Sequence, residues 1–159
     1  MVFDKLIVGP FETNCYLTGD IDSRECIIID PGAEPEIIIG RIQAGRLKPK
    51  MILLTHGHFD HFGAVNELKE KFKIPLLMDK DDLQIIDQSI EFAPHFGIYL
   101  SKCYPDELIK DGDVIKIGKS ELGVMETPGH TPGGLSFLGE AEIFVGDTLF
   151  KNGIGRISR

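Results

Sequence analysis

The stretch Met51-Ile52-Leu53-Leu54-Thr55-His56-Gly57-His58-Phe59-Asp60-His61 runs from four apolar residues directly into three histidines and an aspartate. The apolar residues read as a strand covered on both faces. Over 63–72, Val65, Leu68 and Phe72 recur among Glu and Lys at helical spacing. The histidines therefore occupy a strand-to-helix loop at a sheet end, a rigid place from which to present side chains. Alternation lets His56 and His58 point the same way, as paired ligands of one metal, while Asp60 and His61 turn toward a second ion nearby. Imidazole nitrogen and carboxylate oxygen suit zinc, and also iron or manganese, better than calcium or magnesium. A solvated polar loop is the competing reading. It accounts poorly for three histidines gathered around one aspartate when the whole chain of 159 residues has 5.

Two further motifs supply what this cluster lacks. Glu126-Thr127-Pro128-Gly129-His130-Thr131-Pro132-Gly133-Gly134 places His130 in a tight loop between two strands, its backbone path fixed by Pro and Gly. Ile143-Phe144-Val145-Gly146-Asp147 ends a buried-looking strand on a carboxylate that can bridge two ions. Alone, His130 reads equally well as a turn histidine, and Asp147 reads better as a strand-end cap. Beside the first cluster, both read as ligands.

Strand-like runs fall at about 2–8, 14–18 and 25–29, punctuated by Gly9-Pro10 and Gly19-Asp20-Ile21-Asp22. Asp30-Pro31-Gly32 stops the third run. Pro35 opens a helix with Ile37, Ile38, Ile42 and Leu47 on one face. A strand at 75–78 and a helix at 79–92 follow. Beyond them, strands at 114–117, 122–125, 135–138 and 143–145 succeed one another without helices. This order predicts layered sheets with helices outside, not a doubly wound sheet. No linker or low-complexity tract intervenes, so residues 1–159 read as a single domain.

A hydrophobic fraction of 42% supplies a packed core and argues against disorder. A net charge of -8 without a basic run makes the chain a poor candidate for binding nucleic acid, or an anionic membrane surface, through phosphates. The apolar runs are too short to span a bilayer, and the N-terminus reads as a strand, not a signal peptide. Cys15, Cys26 and Cys103 are scattered, with neither a zinc-knuckle pair nor a disulfide framework, so a reducing, cytoplasmic location is expected.

The motif Thr55 to His61, followed in order by His130 in Pro-Gly-His-Thr-Pro-Gly and Asp147 in Gly-Asp, resembles the signature of the metallo-beta-lactamase superfamily. Asn14-Cys15-Tyr16-Leu17 and Ile29-Asp30-Pro31-Gly32 extend the likeness toward the start, and the branch it is most similar to is the hydroxyacylglutathione hydrolase (glyoxalase II)-like enzymes. The resemblance implies an α+β fold, a four-layer αββα sandwich with a metal site at one edge of two facing sheets. It implies one or two zinc ions per chain, with His56, His58 and His130 on one metal, Asp60 and His61 on the other, and Asp147 between them. Asp30 is then expected to orient a ligand histidine, and Asp60 both to ligate and to orient the attacking hydroxide. The implied reaction is hydrolysis of S-2-hydroxyacylglutathione thioesters to glutathione and a hydroxy acid. Metal coordination lowers the pKa of water from 15.7 to about 7, so no catalytic Ser or Cys is needed.

Further expectations are specific to this sequence. Arg156 is a candidate partner for a substrate carboxylate. His95, within Phe92-Ala93-Pro94-His95-Phe96-Gly97, is expected in an apolar lid over the cleft, as a second candidate substrate contact and not as a metal ligand. The branch carries a final Gly-His motif, with a closing strand and helix, beyond the equivalent of Gly155-Arg156, and this sequence does not reach it. The fold is therefore expected to be incomplete at that end, with one metal held strongly and a second weakly. Low or absent thioesterase activity and self-association through an uncovered sheet edge should follow. Two other readings compete: a mononuclear iron persulfide dioxygenase, in which the Asp60-His61 pair would be spare, and a shortened metal-binding domain with little activity.

Overall fold

A computed structural model describes residues 2–157. β1 (Val2–Val8), β2 (Thr13–Gly19) and β3 (Glu25–Ile29) form an antiparallel meander. α1 (Pro35–Ala44) then crosses over to β4 (Lys48–Leu53), which pairs parallel to β3. The short α2 (Phe59–Phe62) and α3 (Val65–Phe72) lead to β5 (Leu76–Met78), parallel to β4. A 3-10 turn at Lys80–Asp82, α4 (Leu83–Phe92) and a second 3-10 turn at Ala93–Phe96 precede the two-residue β6 (Glu107–Leu108). These six strands form one sheet in sequence order.

The second half is antiparallel. β7 (Val114–Ile117), β8 (Ser120–Glu126), β9 (Leu135–Leu138) and β10 (Ile143–Phe144) make a four-stranded sheet in the order β10-β9-β8-β7. A ribbon of β11 (Leu149–Phe150) and β12 (Gly153–Ile154) follows.

Period-two alternation assigns each apolar strand residue to one of two cores. Ile28, Ile52, Leu54, Leu76 and Met78 pack under the helices with Ile38, Ile42, Val65 and Leu68. Ile27, Ile29, Leu53 and Leu77 face the other way, against Ile115, Leu122, Val124, Leu135 and Phe137 of the second sheet. Ile27, Ile28 and Ile29 are all fully buried, each contributing about 1.5–3 kcal/mol relative to an exposed position. The continuous apolar runs are thus explained by a first sheet sandwiched between helices and the second sheet. The layers run helix, sheet, sheet; among the described residues no helix covers the outer face of the second sheet. The structure confirms the α+β sandwich read from the sequence.

Candidate metal centre

The C-terminal ends of β3 and β4 lie side by side in parallel, so the loops leaving them emerge at one edge of the sandwich. Asp30 follows β3, and Thr55 to His58 follow β4. The β8–β9 loop brings His130 to the same edge, and the segment after β10 brings Asp147. A hydrogen bond from Leu135 N to Thr55 O, 2.7 Å, ties the second sheet to the end of β4 there.

Two compact donor sets result. His56, His58 and His130 place one ring nitrogen each within 4.8 Å of one another, and one ring nitrogen each from His56 and His61 and a carboxylate oxygen of Asp147 lie equally close together. His58 Nδ1 and His130 Nε2 are 3.0 Å apart; two ligands of a tetrahedral zinc with bonds of about 2.0–2.1 Å are separated by roughly 3.3 Å. Asp147 spans the two sets, Oδ1 lying 3.3 Å from His61 Nε2 and Oδ2 3.5 Å from His130 Nε2. Asp60 stands beside the second set, its Oδ2 3.6 Å from His61 Nε2 and accepting a 3.0 Å hydrogen bond from Thr13 Oγ1.

The outer nitrogens of three histidines are fixed by acceptors. Asp30 takes the backbone N–H and the hydroxyl of Thr55 at 2.8 and 2.6 Å, and His61 Nδ1–H at 3.0 Å. Because the Thr55 hydroxyl spends its proton on Asp30, it accepts from His56 Nδ1, 3.1 Å away. The Arg156 carbonyl accepts from His130 Nδ1 at 2.8 Å. Each of these imidazoles therefore turns its other nitrogen inward, as metal-ligating histidines do. His56 Nε2 is buried with no hydrogen-bond partner, and a lone pair stranded in this way costs about 1–3 kcal/mol. A cation at the centre of the cluster removes that cost. The residues fit a metal.

Electrostatics agree. Burial lowers the His56 pKa well below its ordinary value, and the neighbouring His61, His58 and His130 lower it further. Burial and then His130 lower that of His58. Both are neutral donors at pH 7. For His61, burial acts downward, but Asp30 and the hydrogen bonds to Asp147 and Asp30 outweigh it and push the pKa up to about 10. Burial opposes ionisation of Asp147, yet the hydrogen bond and charge of His61 hold it below the usual carboxylate range. A cation held at His61 Nε2 would displace the proton that Asp30 and Asp147 favour on this ring.

Two residues that hold the site together escape a linear reading. Asp82, fully buried, accepts from Gly57 N at 2.8 Å and from Gly133 N at 2.6 Å, clamping the two histidine loops to one carboxylate. Its only sequence signal is its place just before a helix. Gly146 has φ +50, and a Cβ there would run into the Thr55 hydroxyl.

His95 is exposed, donates Nδ1–H to the Phe92 carbonyl at 3.1 Å, and belongs to neither donor set. The aromatic residues on either side of it, Phe92 and Phe96, line the cleft instead. Arg156 contributes its carbonyl to His130, while its side chain is exposed. Two clefts meet at the cluster and share Phe11, Asp60 and Asp147: a polar one of about 360 Å3 reaching Lys151, and an aromatic one of about 400 Å3 under α4.

The family model described as the metallo-beta-lactamase superfamily matches residues 8–159. The chain belongs to the metallo-beta-lactamase superfamily. It is 37% identical over 161 residues to the hydroxyacylglutathione hydrolase GloC of Haemophilus influenzae, covering 98% of this chain and 76% of that protein. Among solved structures, the BLEG-1 B3 metallo-beta-lactamase superposes with a TM-score of 0.88 at 35% identity, over 98% of this chain and 76% of that one. The di-iron-bound form of TTHA1623 superposes with a TM-score of 0.86 at 34% identity, over 96% and 76% respectively. The superfamily chain is thus a metallo-hydrolase with a histidine and aspartate metal site, and no helix among the described residues is long and apolar enough to cross a membrane.

Proposed function

We propose that this protein hydrolyses thioesters of the S-2-hydroxyacylglutathione type, with zinc as its metal. The observation that carries the reading is the pair of donor sets joined by Asp147 and open to two clefts, one for each side of a scissile bond. His56, His58, His130 and Asp147 would hold one ion, and His61, Asp60 and Asp147 the other. Bound metal supplies a nucleophilic hydroxide near neutral pH and polarises the substrate carbonyl. Asp60, steadied by Thr13, accepts a hydrogen bond from the attacking water and aligns it. The oxygen–carbon bond forms as the carbon–sulfur bond breaks, and the thiol leaves as its anion. The exposed Lys151, and Arg156 beyond it, are the cations available to a carboxylate of the thiol arm.

The likeness to GloC supports this substrate class. The second donor set also favours hydrolysis over a mononuclear oxygenase, which would leave Asp60 and His61 without a task. Hydrolysis of S-lactoylglutathione by protein saturated with zinc, iron(II) or manganese, abolished by chelator, is the expected result. No turnover at saturating metal, or oxygen uptake with a persulfide instead, overturns it.

A further inference from the structure

The two clefts differ in chemistry. The cleft under α4 is walled by Phe11, Phe59, Phe92, Phe96 and Ile85, and neither Lys nor Arg lines it. The phenylalanines interlock: Phe11 meets Phe59 and Phe96 edge-on at 5.2 Å, Phe59 lies 5.6 Å from Phe96, and Phe92 lies 5.4 Å from Phe96. Phe59 is 8% exposed, but Phe92 and Phe96 remain 54% and 50% exposed. Aromatic surface left open in this way is what apolar ligand pockets present. The floor of this cleft is His58, Asp60, His130 and Asp147, so whatever fills it starts at the metal centre and extends away from it. The opposite cleft carries Glu12, Asn14 and Lys151 along its polar wall.

We propose, resting on the thioesterase reading, that the aromatic cleft receives the acyl arm of the substrate and selects an uncharged, apolar arm, aryl or branched alkyl. The charged thiol carrier lies in the polar cleft. The distribution of charge decides the orientation. A peptide thiol brings carboxylates that need a cation, and the cleft holding Lys151 offers one; no Lys or Arg lines the aromatic cleft, where Gln88 and Ser89 are the polar side chains away from the floor. An apolar arm buries its surface against the rings of Phe11, Phe59, Phe92 and Phe96. In the reaction, hydroxide adds to the carbonyl carbon, the carbon–sulfur bond breaks, and the product acid keeps its arm against Phe92 and Phe96 while the thiolate departs on the other side.

The test compares glutathione thioesters carrying mandeloyl and lactoyl arms, both 2-hydroxyacyl, on metal-loaded protein, each rate divided by its uncatalysed hydroxide rate. The expected kcat/KM ratio favours mandeloyl by about tenfold or more and collapses toward unity in Phe92→Ala and Phe96→Ala. An equal or reversed ratio, or one unchanged by these substitutions, overturns the assignment, as does a preference that follows an aryl group moved to the thiol. Calorimetric binding of phenylacetate against acetate reads the arm without turnover, because both present the same carboxylate to the metal. Phenylacetate should bind at least tenfold tighter and lose that advantage in Phe96→Ala; equal binding overturns the proposal. Retained phenylacetate preference with no thioester turned over overturns the hydrolase reading alone.

Discussion

His56 does two different things with its two ring nitrogens. Nδ1 reports to Thr55 and through it to Asp30, while Nε2 faces three other imidazoles with no partner of its own. Asp30 adopts φ 51, a conformation uncommon for residues other than glycine and concentrated at functional sites. From there its carboxylate serves Thr55 and His61 together. Asp82 performs the equivalent task for the backbones of the two histidine loops. Asp82→Asn keeps the shape but points an N–H at one of the glycine amides. It is expected to weaken metal binding by about 10–100-fold, measured by competition with a chelating dye, with stability lower by about 1–3 kcal/mol. An unchanged metal affinity would show that the clamp does not position the ligands. Gly146→Ala adds a Cβ against Thr55 at a positive φ; a loss of about 1–3 kcal/mol in urea unfolding is expected.

At the scale of elements, the strands buried on two faces and the helices with one apolar stripe were readable because burial imposes a period. Ile27 and Ile29 go to one core and Ile28 to the other, which is why Cys26 to Ile29 has no polar residue. Departures occur where the period is lost. β4 begins at Lys48, three residues before its apolar run, because Lys48-Pro49-Lys50 pair alongside Glu25 and Cys26 at the exposed end of the sheet. The helix expected over 79–92 opens with a 3-10 turn, Asp79 accepting from Asp81 N at 2.7 Å. β6, β11 and β12 have two residues each, too few for any pattern to register. The metal ligands were legible through residue type and spacing, whereas Asp82 was not: its partners lie 25 and 51 residues away.

One element has a pH-dependent anchor. The backbone N–H groups of Lys119 and Asp22 hold the Asp20 carboxyl below its ordinary value, joining the β2–β3 turn to the β7–β8 turn. A depressed carboxyl contributes stability above its unfolded pKa of about 3.9 and loses it as pH falls through the lower folded value. Asp20→Asn should therefore melt below the parent at pH 7, with the gap closing below about pH 4. A gap that persists at pH 2 would contradict this origin.

Over the whole molecule, apolar side chains remain open around the metal edge and the last ribbon. Ile143 is 61% exposed, Leu149 58% and Ile154 69%, and β10 is an edge strand of the second sheet. An open apolar edge favours pairing with another copy, so self-association that rises with concentration is expected in sedimentation. A monomer at all concentrations would contradict it. The donor sets also rank the two positions. Three imidazoles with Asp147 would hold the first, while the second would have His61, the shared carboxylate and Asp60 beside them.

Whether His56, His58 and His130 close around a metal is read from elemental analysis of protein purified without added metal. Close to one equivalent of zinc, iron or manganese is expected to survive exhaustive dialysis. Further metal should bind weakly, and His58→Ala and His130→Ala should each lose the retained ion. Protein that is metal-free after gentle purification, takes up none on titration, and melts identically with and without chelator would contradict it.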